Sequence, residues 1–162
     1  MMRGVCGIGL LVACLGCGYS FGYRLPDGVR TLSVPTFDNQ TFPLRREVEF
    51  DLTRAVRREL LLGTDADVVN GDRADAVLHG TIRRFDERVL SEGRSDVVQE
   101  SSILVEVRVK LVKSVDGSVL FDQVISDHAA FSVVAGETVD DARREAINEI
   151  AERLVAELEA WE

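Results

Sequence analysis

The chain has 162 residues, 46% of them hydrophobic and 29% charged, with a formal net charge of −9. That length is enough to bury a single core, and so acidic a balance excludes non-specific nucleic-acid binding, which needs a basic footprint. All three cysteines, Cys6, Cys14 and Cys17, lie in the first seventeen positions, so the remainder of the chain must fold without disulfides.

Those first positions read as an export signal. Arg3 supplies a positive charge, and residues 4–15 are an almost unbroken run of small and apolar side chains. A run of that length is too short for a bilayer span, which takes ~20 residues. A cysteine then follows a small residue, as in a bacterial lipoprotein box, where the thiol is joined to diacylglycerol before cleavage. Two cysteines compete. Leu11-Val12-Ala13-Cys14 fits the usual Leu-x-small-Cys pattern better, while Cys17 is preceded by an acceptable Gly16. Removal of residues 1–16 would leave 146 residues with a net charge of −10, because the removed piece holds Arg3 and no acid. Such a domain is not held to an anionic membrane by charge, and several acyl chains on one cysteine would have to hold it instead.

Residues 17–30 are expected to form a tether, in which the stretch from Gly18 to Pro26 alternates aromatic and small side chains and is extended, with the rings of Tyr19, Phe21 and Tyr23 packed on the domain. Residues 31–37 are the first expected strand, kept short or at an edge by Pro35, which lacks an N–H. A turn at 38–41 follows. From 42 to 62 the apolar residues Leu44, Val48, Leu52, Ala55, Val56 and Leu60 recur at three- and four-residue steps, opposite Arg45, Arg46, Glu49, Arg57, Arg58 and Glu59. This predicts an amphipathic helix with Pro43 in its first turn and Gly63 at its end. Asp65, Asp67, Asn70 and Asp72 invite comparison with a calcium loop, but Val69 breaks the alternation of oxygen ligands and position 77 is valine where a glutamate is required. The expectation is no metal, with a short strand at 66–69 and an Asn-Gly turn.

Residues 76–90 read as a long strand with Leu78 and Ile82 on one side, His79, Thr81 and Arg83 on the other, and a bulge near Arg84-Phe85. After a turn at 91–96, residues 102–113 alternate strictly: Val105, Val107, Val109 and Leu111 face one way, Glu106, Arg108 and Lys110 the other. Strict period two predicts one buried and one wet face. Asp116-Gly117 signals a hairpin, and residues 119–125 return, with 129–134 extending the strand. The last helix spans 139–160, opened by a capping box of Thr138 and Asp141 and striped by Ala142, Ala146, Ile147, Ile150, Leu154 and Leu158. The expected domains are therefore 1–16 (signal), 17–30 (tether) and 31–162 (one domain). The expected fold is an α/β (α+β) two-layer sandwich. Two amphipathic helices pack on one face of a mixed, largely antiparallel sheet of about four strands.

No catalytic pattern emerges. His79 and His128 lack cysteines or paired acids at ligand spacing, and there is no nucleophile elbow, phosphate loop or His-Glu-x-x-His. The chain reads as non-enzymatic, without cofactor or metal. The remaining signal is basic: Arg83, Arg108 and Lys110, on the wet face of two strands in an acidic domain, are the candidate ligand-binding residues for phosphate groups. Cross-strand ion pairing is the competing reading.

Three stretches carry a family resemblance. Gly16-Cys17-Gly18-Tyr19-Ser20-Phe21 resembles the mature start of the lipopolysaccharide-assembly lipoprotein family (LptE). Val34-Pro35-Thr36-Phe37-Asp38-Asn39-Gln40-Thr41 is similar to that family's Val-Pro-x-Phe-x-Asn-x-Thr strand and turn, followed by a helix with Glu49-Phe50-Asp51-Leu52-Thr53. Residues 74–82 resemble its next strand. The resemblance selects Cys17 over Cys14 as the lipidated residue. It implies two helices on a sheet, lipid anchoring at the outer membrane facing the periplasm and barrel lumen, and a place as the plug of a β-barrel translocon (LptD). There it would assist lipopolysaccharide transport to, and insertion in, the outer leaflet. The alternative is another lipid-anchored periplasmic module that binds a cell-wall synthase or a secretion assembly.

Overall fold

A computed structural model describes residues 25–26, 28–71, 73–92, 98–132 and 135–159. The signal, Cys6, Cys14, Cys17 and the tether rings of Tyr19, Phe21 and Tyr23 lie outside the described residues. In chain order the elements are β1 (Thr31–Ser33), β2 (Asp38–Asn39), α1 (Val48–Gly63), β3 (Asp67–Val68), β4 (Ala76–Glu92), β5 (Val98–Lys113), β6 (Val119–Ser132) and α2 (Val139–Glu159). The strands make one six-stranded sheet in the order β3-β1-β4-β5-β6, with β2 also paired to β4. The pairs made by β1, β2 and β3 are parallel; β4–β5 and β5–β6 are antiparallel.

The strand count is six rather than about four, and the difference lies in the short strands. The first expected strand splits in two. β1 pairs with Ala76 and Val77, the chain leaves the sheet at Val34 and Pro35, and β2 pairs again with Thr81 and Ile82. Pro35 has no N–H for the ladder, so the break falls beside it, and the expected turn at 38–41 begins as strand. β3 is the short strand expected at 66–69, followed by Gly71 at φ +82°. The 119–125 and 129–134 stretches are one continuous strand through Ser132.

The period-two reading of β5 holds: Val105, Val107, Val109 and Leu111 are completely buried, as are Leu78 and Ile82 of β4. The bulge falls between Ile82 and Arg84. It shifts the alternation by one residue, so that Phe85 rejoins the core face. Phe121, Ile125, Ala129 and Phe131 complete that face from β6. Both helices cover it. α2 lies over β5 and β6 with every expected stripe residue buried, and α1 lies beside α2 and against β2 and β3. The capping box is reciprocal: the Asp141 N–H donates to Thr138 Oγ1 (3.2 Å) and the Thr138 N–H to Asp141 Oδ2 (3.3 Å).

α1 starts at Val48 instead of residue 42, and Leu44 is exposed rather than buried. The reason is local competition for the backbone. Thr41 Oγ1 accepts the Arg45 N–H (2.9 Å), and Asn39 Nδ2 donates to the Arg45 carbonyl (2.7 Å). Groups that a helix would have used are taken by side chains. Glu47, at φ 69°, then turns the chain into the helix.

Candidate functional site

The sheet face away from the helices is open among the described residues, and register fixes its rows. His79, Lys110 and Asp122 lie side by side; Thr81, Arg108 and Val124 form the next row; Arg84, Glu106 and Ser126 the next. Arg83 sits in the bulge, exposed. Arg108 grips Asp122 with both arms of its fork, Nε to Oδ1 at 2.8 Å and Nη2 to Oδ2 at 2.9 Å. That hydrogen bond, with the charges of Arg108, Lys110 and Arg83 behind it, holds the Asp122 carboxyl below the usual carboxylate range. The same carboxylate raises the Arg108 guanidinium. So the register sets Lys110 beside Asp122 and Arg108 one row along, and Arg83, in the bulge of neighbouring β4, adds the weakest of the charges felt at Asp122. The sequence reading missed Asp122 because its position opposite Lys110 depends on the β5–β6 register. Arg108 is thus partly committed, whereas Arg83 and Lys110 have no hydrogen-bond or ion-pair partner among the described residues. His79 and His128 are exposed, and among the described residues no group of three or more His, Cys, Asp or Glu is placed to hold a metal ion.

The motif residues do a different job: they clasp the first strands to α1. The Val34 carbonyl accepts two N–H groups of Arg57. The Phe37 N–H donates to the Thr53 hydroxyl (2.9 Å), which donates in turn to the Glu49 carbonyl (2.6 Å). Asn39 Nδ2 reaches Glu49 (2.7 Å) while its Oδ1 accepts from the Thr41 N–H and hydroxyl. The Phe37 ring lies over Gly80, where a Cβ would collide with it. Buried polar groups must be paired, and here each residue of the Phe-x-Asn-x-Thr pattern pairs another. The pattern is a packing device.

A second charged surface lies between the helices. A groove of about 410 Å3 is lined by Asp51, Arg54 and Arg58 of α1 and Asp140, Arg143, Arg144 and Asn148 of α2. Asp51 lies between Arg54 (3.7 Å) and Arg143 (3.6 Å). Arg143 also donates to the Arg46 carbonyl (3.1 Å) and stands 5.8 Å from the centre of the Phe85 ring, its Nε buried without a hydrogen-bond partner. Arg144 pairs with Asp141. Of these arginines the sequence reading placed only Arg58, on the polar face of the first helix. Only the side-by-side packing of α1 and α2 collects them.

No curated protein matches the chain. Among solved structures it is similar to PelC of Paraburkholderia phytofirmans, described as a dodecamer, at 14% identity, over 81% of this chain and 92% of that one, with a TM-score of 0.55. It is also similar to uncharacterized lipoprotein B of Nitrosomonas europaea (16% identity, 86% and 91% coverage, TM-score 0.54). A third is a minor lipoprotein of Acinetobacter baumannii (13% identity, 83% and 94% coverage, TM-score 0.53). At these identities the likeness establishes the fold: two helices on an open sheet. The sequence pattern of the lipopolysaccharide-assembly family LptE matches residues 29–159, from just before β1 to the end of α2. The chain belongs to the LptE lipopolysaccharide-assembly family of lipoproteins.

Proposed function

We propose that this chain is a non-enzymatic outer-membrane lipoprotein, anchored through Cys17, that assembles with and plugs an LptD-like β-barrel translocon and assists lipopolysaccharide transport to the outer leaflet. Family membership over residues 29–159 supports the role. The observation that carries the lipid contact is the sheet face open among the described residues, where Arg83, Arg108 and Lys110 stand on β4 and β5 in a chain of net charge −9. A lipopolysaccharide phosphate would form charge-assisted hydrogen bonds there. It meets Arg83 and Lys110 directly and competes with Asp122 for the Arg108 fork, which suits a phosphate as well as a carboxylate.

The test is a titration of the domain, residues 18–162, with lipopolysaccharide. Exchanging Arg83 and Lys110 together for glutamate should weaken binding, Asp122→Asn should tighten it by releasing Arg108, and added salt should weaken the unmodified domain. Binding that is unchanged in both variants would remove this face as the lipid contact.

A further inference from the structure

The described domain has two ends. The last turn of α1, the start of β1, β3, the start of β4 and the β5–β6 turn meet at one of them. Backbone hydrogen bonds tie this end together: the Asp67 N–H to the Arg30 carbonyl (2.9 Å), the Asp75 N–H to the Thr31 carbonyl (3.0 Å) and the Ser114 N–H to the Asp75 carbonyl (2.8 Å). Large apolar side chains stand in solvent here. Leu61 and Leu62, in the last turn of α1, are 59% and 75% exposed, and Val115, in the β5–β6 turn, is 88% exposed. Single exposed apolar residues are ordinary, but Leu61 and Leu62 are neighbours in one helical turn and Val115 stands at the same end of the domain.

The covalent chain indicates what covers it. The chain enters β1 at this same end through Arg30, whose carbonyl accepts the Asp67 N–H, and Leu25, five positions earlier, is partly buried against the core. It follows Cys17 by eight positions, and eight residues reach at most ~26–29 Å. β5 alone has sixteen residues, ~50 Å at the usual strand rise, so the opposite end, with exposed Phe42, Leu44 and Leu90, is out of the tether's reach while the domain stands on its anchored end.

We propose that, before the domain enters a barrel, this end rests on the bilayer surface that holds the anchor, with Leu61, Leu62 and Val115 in contact with lipid. The inference relies on the reading of Cys17 as the lipidated residue. The acyl chains supply the attachment, and the apolar end sets the orientation, holding the long axis of the strands away from the membrane plane. The neighbouring acids Asp65, Asp67 and Asp116 favour a zwitterionic lipid surface over an anionic one.

The mature lipoprotein is reconstituted in phosphatidylcholine vesicles containing a nitroxide-labelled lipid. Single cysteines introduced as Leu62→Cys or Val115→Cys carry an environment-sensitive dye, and Val124→Cys on the open sheet face is the reference. All three positions are exposed, so the substitutions leave the core alone. The dyes at 62 and 115 are expected to shift to the blue and be quenched by the nitroxide, and the dye at 124 to stay in water. Dyes at 62 and 115 that match the one at 124 overturn the inference. So do dyes shielded from water but unquenched by the lipid-borne nitroxide, since a second protein copy would then cover this end. Mass spectrometry of the same sample reads the anchor separately. Quenching in a chain not acylated at Cys17 upholds the lipid contact and refutes the anchor, while an acylated Cys17 with unquenched dyes does the reverse.

Discussion

Gly80→Ala tests how the first strands are locked to the sheet. Gly80 lies on the core face of β4, opposite Val109 and between Leu78 and Ile82. A methyl group there would stand 2.5 Å from Cγ of Phe37, and nearer still to Cδ2 and Cε2. Carbon atoms in contact sit ~3.5–4.0 Å apart, so the ring would have to move by about 1 Å or more. It cannot simply retreat, because Phe37 is almost fully buried and its N–H is held by the buried Thr53 hydroxyl. Forcing one more carbon into such a site costs about 1–3 kcal/mol. Replacing a strand glycine by alanine returns roughly 0.5–1 kcal/mol of backbone entropy, so a net loss of about 1–2 kcal/mol is expected. Urea unfolding followed by circular dichroism, with Tm from the same signal, reads it. A drop of roughly 3–10 °C is predicted. The Phe37→Leu background supplies the control. There the smaller side chain leaves room, and Gly80→Ala should cost less than in the unmodified chain, a coupling that a double-mutant cycle measures directly. Equal stability of Gly80→Ala and the parent, or the same cost in both backgrounds, would refute the ring-on-glycine contact.

Three further outcomes follow from the same structure. Val107→Asp places an unpaired charge on the fully buried face of β5 and should cost several kcal/mol, much of the ~5–15 that holds a domain. Arg108→Asp on the wet face should leave the domain folded, and matching melting curves for the two would overturn the face assignment. The Asp75 carboxylate accepts from the Arg30 and Thr31 N–H groups and the Thr31 hydroxyl; the Arg30 N–H contributes most to holding it below the usual carboxylate range. Its contribution to stability is therefore full above the unfolded value of about 3.9 and fades as pH falls through the lower folded value. Asp75→Asn should flatten the acid side of the stability–pH curve, and parallel curves would refute the clamp. Cys17→Ala should abolish lipidation while Cys14→Ala keeps it; a mass spectrum showing acylated Cys14 would reverse the assignment.

The parts of the fold legible in sequence are those whose signal is local. β5 alternates without a break and α2 keeps its stripe for five turns, so their buried faces can be read residue by residue. The bulge could be placed to within a residue or so because the alternation of β4 visibly slips near Arg84-Phe85, and the structure puts it between Ile82 and Arg84. The start of α1 was misread because Asn39 and Thr41 divert the backbone of residues 42–47, a side-chain effect invisible to periodicity. β1 and β2 owe their pairing to β4, more than forty positions away, and β3 owes its pairing to β1; two- or three-residue strands have no period of their own. The cations of the wet face were legible from alternation alone. Their shared partner Asp122 was not, because which β6 residue faces Lys110 depends on the hairpin loop and on the register shift beside Leu111. The arginine groove between α1 and α2 required knowing which helix faces touch. The Phe-x-Asn-x-Thr pattern showed the family correctly while its residues turned out to serve packing.

The central claim is that this lipoprotein works inside an assembly with a β-barrel. It is tested most directly by isolating the native chain from detergent-solubilised outer membranes and identifying what comes with it. A large outer-membrane β-barrel is expected to stay bound through purification, and to stay bound equally to the Arg108→Glu variant, whose helices and anchor are untouched. Recovery of the chain with a cell-wall synthase or a secretion complex, and no barrel, would contradict it.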